Sequence, residues 1–240
     1  QQDKLLIAER HTAWESVARK LAHEIKNPLT PIQLSIDRIK EKYLSKVGNE
    51  NKDFSSYLDT INKQIKDIEH LVNEFSDFAR MPKPIFKIND LINIIKDNIN
   101  LLKEVDLNIN IEFNYKKSKI LFNCDSEQIS RVFFNLIKNS IESIQEKHFK
   151  NPDFAKKINI AITNKSDYIE FIITDNGTGF SEKNLRNILK PYFTTKEKGT
   201  GLGLSIVDKI ISDHNGSIKF LNHKYGAKIQ IVIPIFKNVS

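Results

Sequence analysis

Tyr168-Ile169-Glu170-Phe171-Ile172-Ile173-Thr174-Asp175-Asn176-Gly177-Thr178-Gly179 is a run of β-favouring residues that stops at a carboxylate and passes directly into two glycines. Its pattern predicts a strand over Tyr168–Thr174. The glycines allow tight backbone turns, and an Asp buried at a strand end can accept a hydrogen bond from a ligand amino group. Alone, the segment is equally an ordinary turn. Ile158–Thr163 has the same character, and Asn164-Lys165-Ser166-Asp167 between them is hairpin chemistry. Ser217–Asn222 and Lys228–Ile235 predict a second hairpin, with further strands at Ile85–Ile88, Leu107–Tyr115 and Lys119–Asn123. Helical periodicity covers Asp90–Lys103, Ser126–Gln145, Glu182–Leu189 and Leu202–His214, the last closed by Asn215-Gly216. These elements imply an α/β layer with a mixed sheet and helices on one face.

Three more clusters flank the opening run. Asn135-Leu136-Ile137-Lys138-Asn139-Ser140 puts Asn135 and Asn139 four apart on one helix face, where two amides can present oxygen to a hard cation. The plain alternative is a polar helix face. Pro191-Tyr192-Phe193-Thr194-Thr195-Lys196-Glu197-Lys198 is polar and lysine-bearing, suited to a flap over phosphates. Gly199-Thr200-Gly201-Leu202-Gly203-Leu204 opens a helix, and glycine-rich backbone there directs N–H groups at an anion. No Gly-Lys-Ser/Thr follows it, and the glycine spacing is not that of a dinucleotide-binding turn.

Before residue 80 the pattern changes. Trp14, Val17, Leu21, Ile25, Ile32, Ile36, Ile39 and Tyr43 recur at helical steps, and Leu58, Ile61, Ile65, Ile68, Val72, Phe75 and Ala79 repeat them more strictly. Leu44 to Phe54, with Gly48-Asn49-Glu50-Asn51, is the expected turn between two helices. A lone hairpin buries little, so sharing its stripes with a second copy predicts a dimeric four-helix bundle through residues 1–80. Pro82 and Pro84 make residues 81–84 a stiff linker to a second domain at 85–240.

On the first helix His23 points away from the Leu21 position and is expected to face water. Glu24 beside it can orient the imidazole and accept its proton, and Asn27 is one turn on, where an amide can orient a water. Pro28 and Pro31 remove the N–H groups that would bond the carbonyls of Glu24 and Asn27, each at a cost of ~3 kcal/mol in a helix interior. Either they soften a continuing helix or Pro28 ends it; the stripe running on to Tyr43 favours continuation.

The 240 residues hold 37 Lys and Arg against 30 Asp and Glu, a formal net charge of +7. Charges balance up to residue 80, so the excess lies wholly beyond it. The lysines are scattered and lack aromatic interleaving, which argues against nucleic acid. No apolar stretch approaches the ~20 residues of a membrane helix, so no membrane contact is expected of this segment. The single cysteine, Cys124, cannot form an internal disulfide and is expected to be buried and inert, consistent with a reducing cytosolic setting. His11, His70, His148, His214 and His223 match no cluster and read as ordinary surface or cap residues. The chain begins at Gln1 without an initiator Met and is expected to be part of something longer.

His23-Glu24-Ile25-Lys26-Asn27-Pro28-Leu29 resembles the H-box of bacterial sensor histidine kinases, and the run on through Thr30-Pro31-Ile32-Gln33-Leu34-Ser35 is similar to nitrogen-regulation sensors of the NtrY type. The four ordered clusters of the second half resemble the N, G1, F and G2 boxes of the Bergerat or GHKL-type ATP-binding domain shared by histidine kinases, gyrase B, Hsp90 and MutL. The resemblance implies a multidomain α plus α/β protein: a two-helix hairpin forming a dimeric bundle, then an α/β sandwich that binds ATP and Mg²⁺ under a lid. It implies His23 as phospho-acceptor, Glu24 as general base and Asn27 as orienter of water in dephosphorylation of a partner. It also implies Lys196 as a phosphate contact, Asn139 with Asn135 nearby as the Mg²⁺ site, and Asp175 as reader of adenine. Gly177, Gly179, Phe193, Thr194, Thr195, Gly199, Gly201, Leu202 and Gly203 would line the nucleotide. One position departs: many such kinases carry a basic residue where this chain has Glu142.

The implied function is autophosphorylation of His23 and transfer to an Asp on the receiver domain of a separate response regulator. The implied location is the cytoplasmic portion of a longer inner-membrane sensor. Two rivals remain at this level. A GHKL ATPase coupled to conformational work accounts for residues 85–240 without needing His23, and a dimeric scaffold could bind nucleotide only as a switch.

Overall fold

The first half of the chain is two long helices, α1 (Gln2–Tyr43) and α2 (Asn51–Ala79), with a short 3₁₀ turn at Leu44–Lys46. In the computed structural model, residues 2–46, 51–79, 81–196 and 199–235 are described, excepting the side chains of residues 2–19, 45, 51 and 70. Trp14, Val17, His11 and His70 of the expectations above therefore lie outside the described side chains, and Gly48-Asn49-Glu50 and Glu197-Lys198 outside the described residues. Phe54 belongs to α2 rather than to the turn, because the helix begins at Asn51. Both Pro28 and Pro31 sit inside α1, so Pro28 does not end the helix.

Two polar contacts set the antiparallel register of the helices: Lys40 Nζ to Asp59 Oδ1 at 2.6 Å and Asn62 Nδ2 to Asp37 Oδ1 at 3.1 Å. The buried seam is Ala22, Leu29 and Ile36 on α1 and Leu58, Ile65 and Val72 on α2, all 2–7% exposed. Burying each Leu, Ile or Val there stabilises the pair by about 1.5–3 kcal/mol. Leu29, Ile36, Leu58 and Ile65 form one cluster with Phe54 against it. The expected stripe needs correction. Ala22 and Leu29, which it omitted, carry the seam, whereas Ile25, Ile32, Ile39, Ile61 and Ile68 stay 39–45% exposed. A heptad alternates two apolar positions, and one hairpin covers only the first of them.

The chain divides after Pro82, and the second unit, Lys83–Ser240, is built on a five-stranded sheet. Its elements in chain order are β1 (Lys87–Asp90), α3 (Leu91–Lys103), β2 (Asn110–Tyr115), β3 (Leu121–Cys124), α4 (Ser126–Lys150), β4 (Lys157–Asn164), β5 (Tyr168–Asp175), α5 (Glu182–Leu185), α6 (Gly203–Asp213), β6 (Ser217–His223) and β7 (Gly226–Pro234). The sheet order is β2-β4-β5-β7-β6, parallel only between β2 and β4. β1 does not join it; it pairs antiparallel with β3 in a separate ribbon. Alternate residues of β4, β5 and β7, such as Ile160, Phe171 and Ile231, are buried on the face that meets the helices. Phe133 of α4 stands edge-on to Phe171 at 5.2 Å.

Local chemistry sets the helix ends. Asp90 caps α3 by accepting from Ile92 N–H, and Asp125 caps α4 by accepting from Gln128 N–H. α6 ends with Asn215 at φ 58°, and Gly216 N–H returns to Ile211 O at 2.8 Å, the Schellman arrangement. α5 is one turn, not the helix expected to reach Leu189: beyond its C-cap Arg186 the chain continues in i to i−3 turns, with Asn187 N–H on Asn184 O and Lys190 N–H on Asn187 O, both at 2.9 Å. His214 is the C-cap of α6, as one of its two expected roles had it, but it is buried rather than superficial: its Nε2 accepts from Asp125 N–H at 3.1 Å and its Nδ1 faces Ile210 O at 2.8 Å. It ties the end of α6 to the start of α4.

Candidate functional site

His23 stands exposed on α1, as do Glu24 and Asn27 one residue and one turn further on. Glu24 Oε1 lies 3.9 Å from Lys20 Nζ, and no hydrogen bond joins it to the imidazole among the described residues. Because α1 runs through both prolines, the Glu24 and Asn27 carbonyls lose their usual helical donors just where the imidazole is displayed. An exposed imidazole with a carboxylate beside it can act as a nucleophile and pass on its proton.

In the second unit the central residue is Asp175 at the end of β5, 7% exposed. Its Oδ1 accepts from Gly177 N–H at 2.9 Å and from Ala227 N–H at 3.3 Å, and its Oδ2 accepts from Ser140 Oγ at 3.0 Å. Burial pushes its pKa above the ordinary carboxylate value, against the pull of those donors and of the Lys147 charge. Three donors fix the carboxyl's orientation and leave lone-pair capacity for one more.

Two glycines let the backbone close around it. A Cβ on Gly177 would come within 2.3 Å of Ser143 Oγ, and one on Gly226 within 2.3 Å of Asp175 O. Gly179 has φ +73°, a backbone that disfavours other residues. Ser143 Oγ also accepts from Thr178 N–H at 3.0 Å, so the loop after β5 is laced onto α4.

Asn135 and Asn139 are both on α4, as expected, but have different neighbours. Asn135 Nδ2 donates to Arg131 O at 2.9 Å, while its Oδ1 would be 3.2 Å from a Cβ on Gly203. Asn139 Oδ1 accepts from Lys196 Nζ at 3.1 Å, and the same ammonium is ion-paired with Glu142. The Lys196 ammonium thus sits between an amide oxygen and a carboxylate one helical turn apart.

The flap takes its shape from its own residues. Tyr192 N–H bonds Gly201 O at 3.0 Å, and a Cβ on Gly201, at φ +70°, would strike the Tyr192 and Phe193 backbone. Thr194 Oγ1 accepts from Lys196 N–H at 3.1 Å and lies where a Cβ on Gly199 would fall, so Thr194 organises the turn. Thr195 is exposed. Leu202, fully buried, precedes α6, whose first turn has no side-chain cap. Its N–H groups can therefore meet an anion.

Sequence reasoning missed Ser140, Ser143, Lys147, Gly226 and Ala227. Ser140 adjoins Asn139 in a stretch already singled out, but it becomes a donor to Asp175 only across 35 residues. Lys147 lay just beyond the expected end of its helix, and nothing local marks the β6–β7 turn as a neighbour of β5.

Residues 124–237 match the histidine kinase-, DNA gyrase B-, and HSP90-like ATPase family, and residues 13–84 match the His Kinase A (phospho-acceptor) domain. An NtrY-like sensor histidine kinase of Rickettsia prowazekii is 40% identical over 96% of this chain, which spans 38% of that protein. The nucleotide-free catalytic domain of the histidine kinase ThkA is 30% identical with a TM-score of 0.56, over 63% of this chain and 98% of that one. The complex of ThkA with the response regulator protein TrrA contains a chain 27% identical with a TM-score of 0.65, over 95% of this chain and 64% of that one. The two family matches lie in the order of the two units, the phospho-acceptor domain over the helical hairpin and the ATPase over the sheet that carries Asp175, and with the similarity to named kinases they settle the family: the chain belongs to the sensor histidine kinases.

Proposed function

We propose that this chain uses ATP to phosphorylate His23 and passes the phosphoryl group to an aspartate of a response regulator. A ring nitrogen of His23 forms the new N–P bond, the bond between the γ-phosphorus and its bridging oxygen breaks to release ADP, and the imidazole proton goes to Glu24. The observation that carries this reading is the exposure of His23 on an unbroken helix, in a chain whose other unit holds Asp175 on three donors.

In the second unit Asp175 would accept from the adenine amino group. The glycine-shaped turns at Gly177, Gly179, Gly199, Gly201 and Gly203, with Phe193, Thr194, Thr195 and Leu202, would enclose the phosphates beside the start of α6. Asn139, with Asn135 one turn away on the same helix, would offer Mg²⁺ the hard amide oxygens it accepts beside phosphate oxygens and water. When bound, the metal supplies charge neutralisation at the phosphates. Lys196 would turn from Glu142 to a phosphate oxygen, providing the basic contact that position 142 lacks.

The apolar positions left half-exposed on α1 and α2 are the second layer of both heptads, so a second copy would complete a four-helix bundle. Asn27, exposed one turn from His23, would orient water when the same bundle dephosphorylates its partner. The response regulator is proposed as partner because the ThkA relative was crystallised with one.

The test is incubation with γ-labelled ATP followed by mapping of the label under neutral conditions. Label on His23, acid-labile and absent from His23→Gln with ATP binding intact, is the expected result; label on another residue overturns the acceptor assignment.

A further inference from the structure

Lys147, two turns beyond Asn139 on α4, donates three hydrogen bonds to main-chain carbonyls: Asn176 O at 2.8 Å, Gly177 O at 3.1 Å and Tyr225 O at 3.0 Å. The Phe154 ring lies 5.1 Å from the same ammonium. Lysine ordinarily keeps its charged end in water on a mobile stem, so fixing it over three carbonyls and a ring costs rotamer freedom.

The identity of the acceptors gives that cost a purpose. Asn176 and Gly177 belong to the loop after β5, and Tyr225 to the turn between β6 and β7. Those segments also supply the two N–H groups that hold Asp175 Oδ1, from Gly177 and from Ala227. One ammonium therefore pins, through their carbonyls, the two loops that grip the carboxylate through their amides. Asn176 C=O and Gly177 N–H are the two ends of one peptide group, so the ammonium on that carbonyl also polarises the N–H that Asp175 accepts.

We propose that Lys147 is a positioning residue for the nucleotide base: it holds the loop of 176–177 and the turn at 225 at a fixed separation, and so sets the place and orientation of the Asp175 carboxyl. The inference rests on Asp175 reading the base. Without the clamp Asp175 remains present, but its two amide donors separate and the carboxyl no longer meets an adenine amino group at hydrogen-bond distance. The loss falls on nucleotide affinity and on discrimination between adenine and guanine, not on the transfer step at saturating ATP.

The experiment compares Lys147→Met, Lys147→Gln, Lys147→Arg and Asp175→Asn in the full chain, with thermal melts to confirm folding. It titrates each with Mg·ATP and Mg·GTP and measures KM and kcat of autophosphorylation. Lys147→Met is expected to raise KM for ATP about tenfold with kcat within about twofold, and to reduce the preference for ATP over GTP by a similar factor. Lys147→Gln, with a neutral donor, is expected to fall between, and to carry the test alone if Lys147→Met does not fold. Lys147→Arg is expected to recover most of the affinity. A folded Lys147→Met, or failing it Lys147→Gln, with unchanged KM and selectivity overturns the clamp, as does a parallel fall in kcat with KM unmoved. Asp175→Asn losing ATP while the Lys147 variants keep it also overturns the clamp alone. Asp175→Asn binding ATP normally removes the base-reading role and this inference with it.

Discussion

Glu142 of α4 and Lys196 of the flap form an ion pair, and the same ammonium reaches Asn139 Oδ1 at 3.1 Å. Glu142 stands where many relatives were expected to carry a basic phosphate contact. The structure shows what the carboxylate does instead: it draws a basic residue from the flap to that place. A phosphate at the proposed site would then compete with Glu142 for the ammonium. Lys138, 3.9 Å from Glu142 Oε1, weakens the pair further.

Replacing Glu142 by Gln removes both the competitor and a negative charge beside the proposed phosphate site. The two side chains are about one-third exposed, so the pair is worth at most roughly 1 kcal/mol. Nucleotide binding by Glu142→Gln is expected to tighten by up to about fivefold, as read by isothermal titration. Weaker binding would make Glu142 a contributor to the site rather than a competitor.

Ile32 and Ile61 occupy the heptad layer that the hairpin leaves open, while Leu29 and Ile65 fill the closed one. Charging the open layer with Ile32→Asp and Ile61→Asp together is expected to give monomers by light scattering with helical circular dichroism retained. A dimer that survives would move the self-association surface elsewhere.

Asp106 faces Lys156 Nζ at 2.9 Å, with side chains 10% and 12% exposed. Burial pushes the Asp106 carboxyl up, but Lys156, the Asn108 N–H and Gln145 outweigh it and hold the pKa below the usual 3.8. A lowered carboxylate binds fewer protons folded than unfolded, so its contribution is complete above the unfolded value and fades as pH falls through the folded one. In urea unfolding, wild type is expected to exceed Asp106→Asn in stability at pH 7, with the gap narrowing below about pH 4. A gap that widens in acid would contradict this sign.

Cys124 is fully buried, and burial raises its thiol pKa to about 11. At pH 8 the thiolate is then about a hundredfold scarcer than for an unperturbed thiol. Alkylation by iodoacetamide is expected to be slower in the folded chain by at least that factor and to become rapid in denaturant. Fast labelling of the folded protein would show β3 opening on its own.

Much of this protein could be read locally. Seven strands and the main helices follow from short-range periodicity; His23 is exposed as expected, although Leu21, the position it was measured from, is itself 42% exposed. Each depends on neighbours within a turn or a hairpin, where backbone geometry leaves few choices. The expectations failed where packing decided. Heptad arithmetic alone does not say which of two alternating apolar layers one hairpin covers, so Leu29 was passed over and Ile32 misplaced. β1 found β3 instead of the main sheet, and His214 turned inward to reach Asp125, 89 residues away.

The residues the function needs were legible as separate clusters on a line of sequence. Their relationships were decided only by the tertiary structure: Ser140 and Ala227 on Asp175, Lys147 across two loops, Glu142 on Lys196. Such contacts join residues 29 to 78 apart. Their geometry is set when the apolar faces of α4 and α6 dock on the sheet, and burial there makes each polar atom find whichever partner the packing brings within reach.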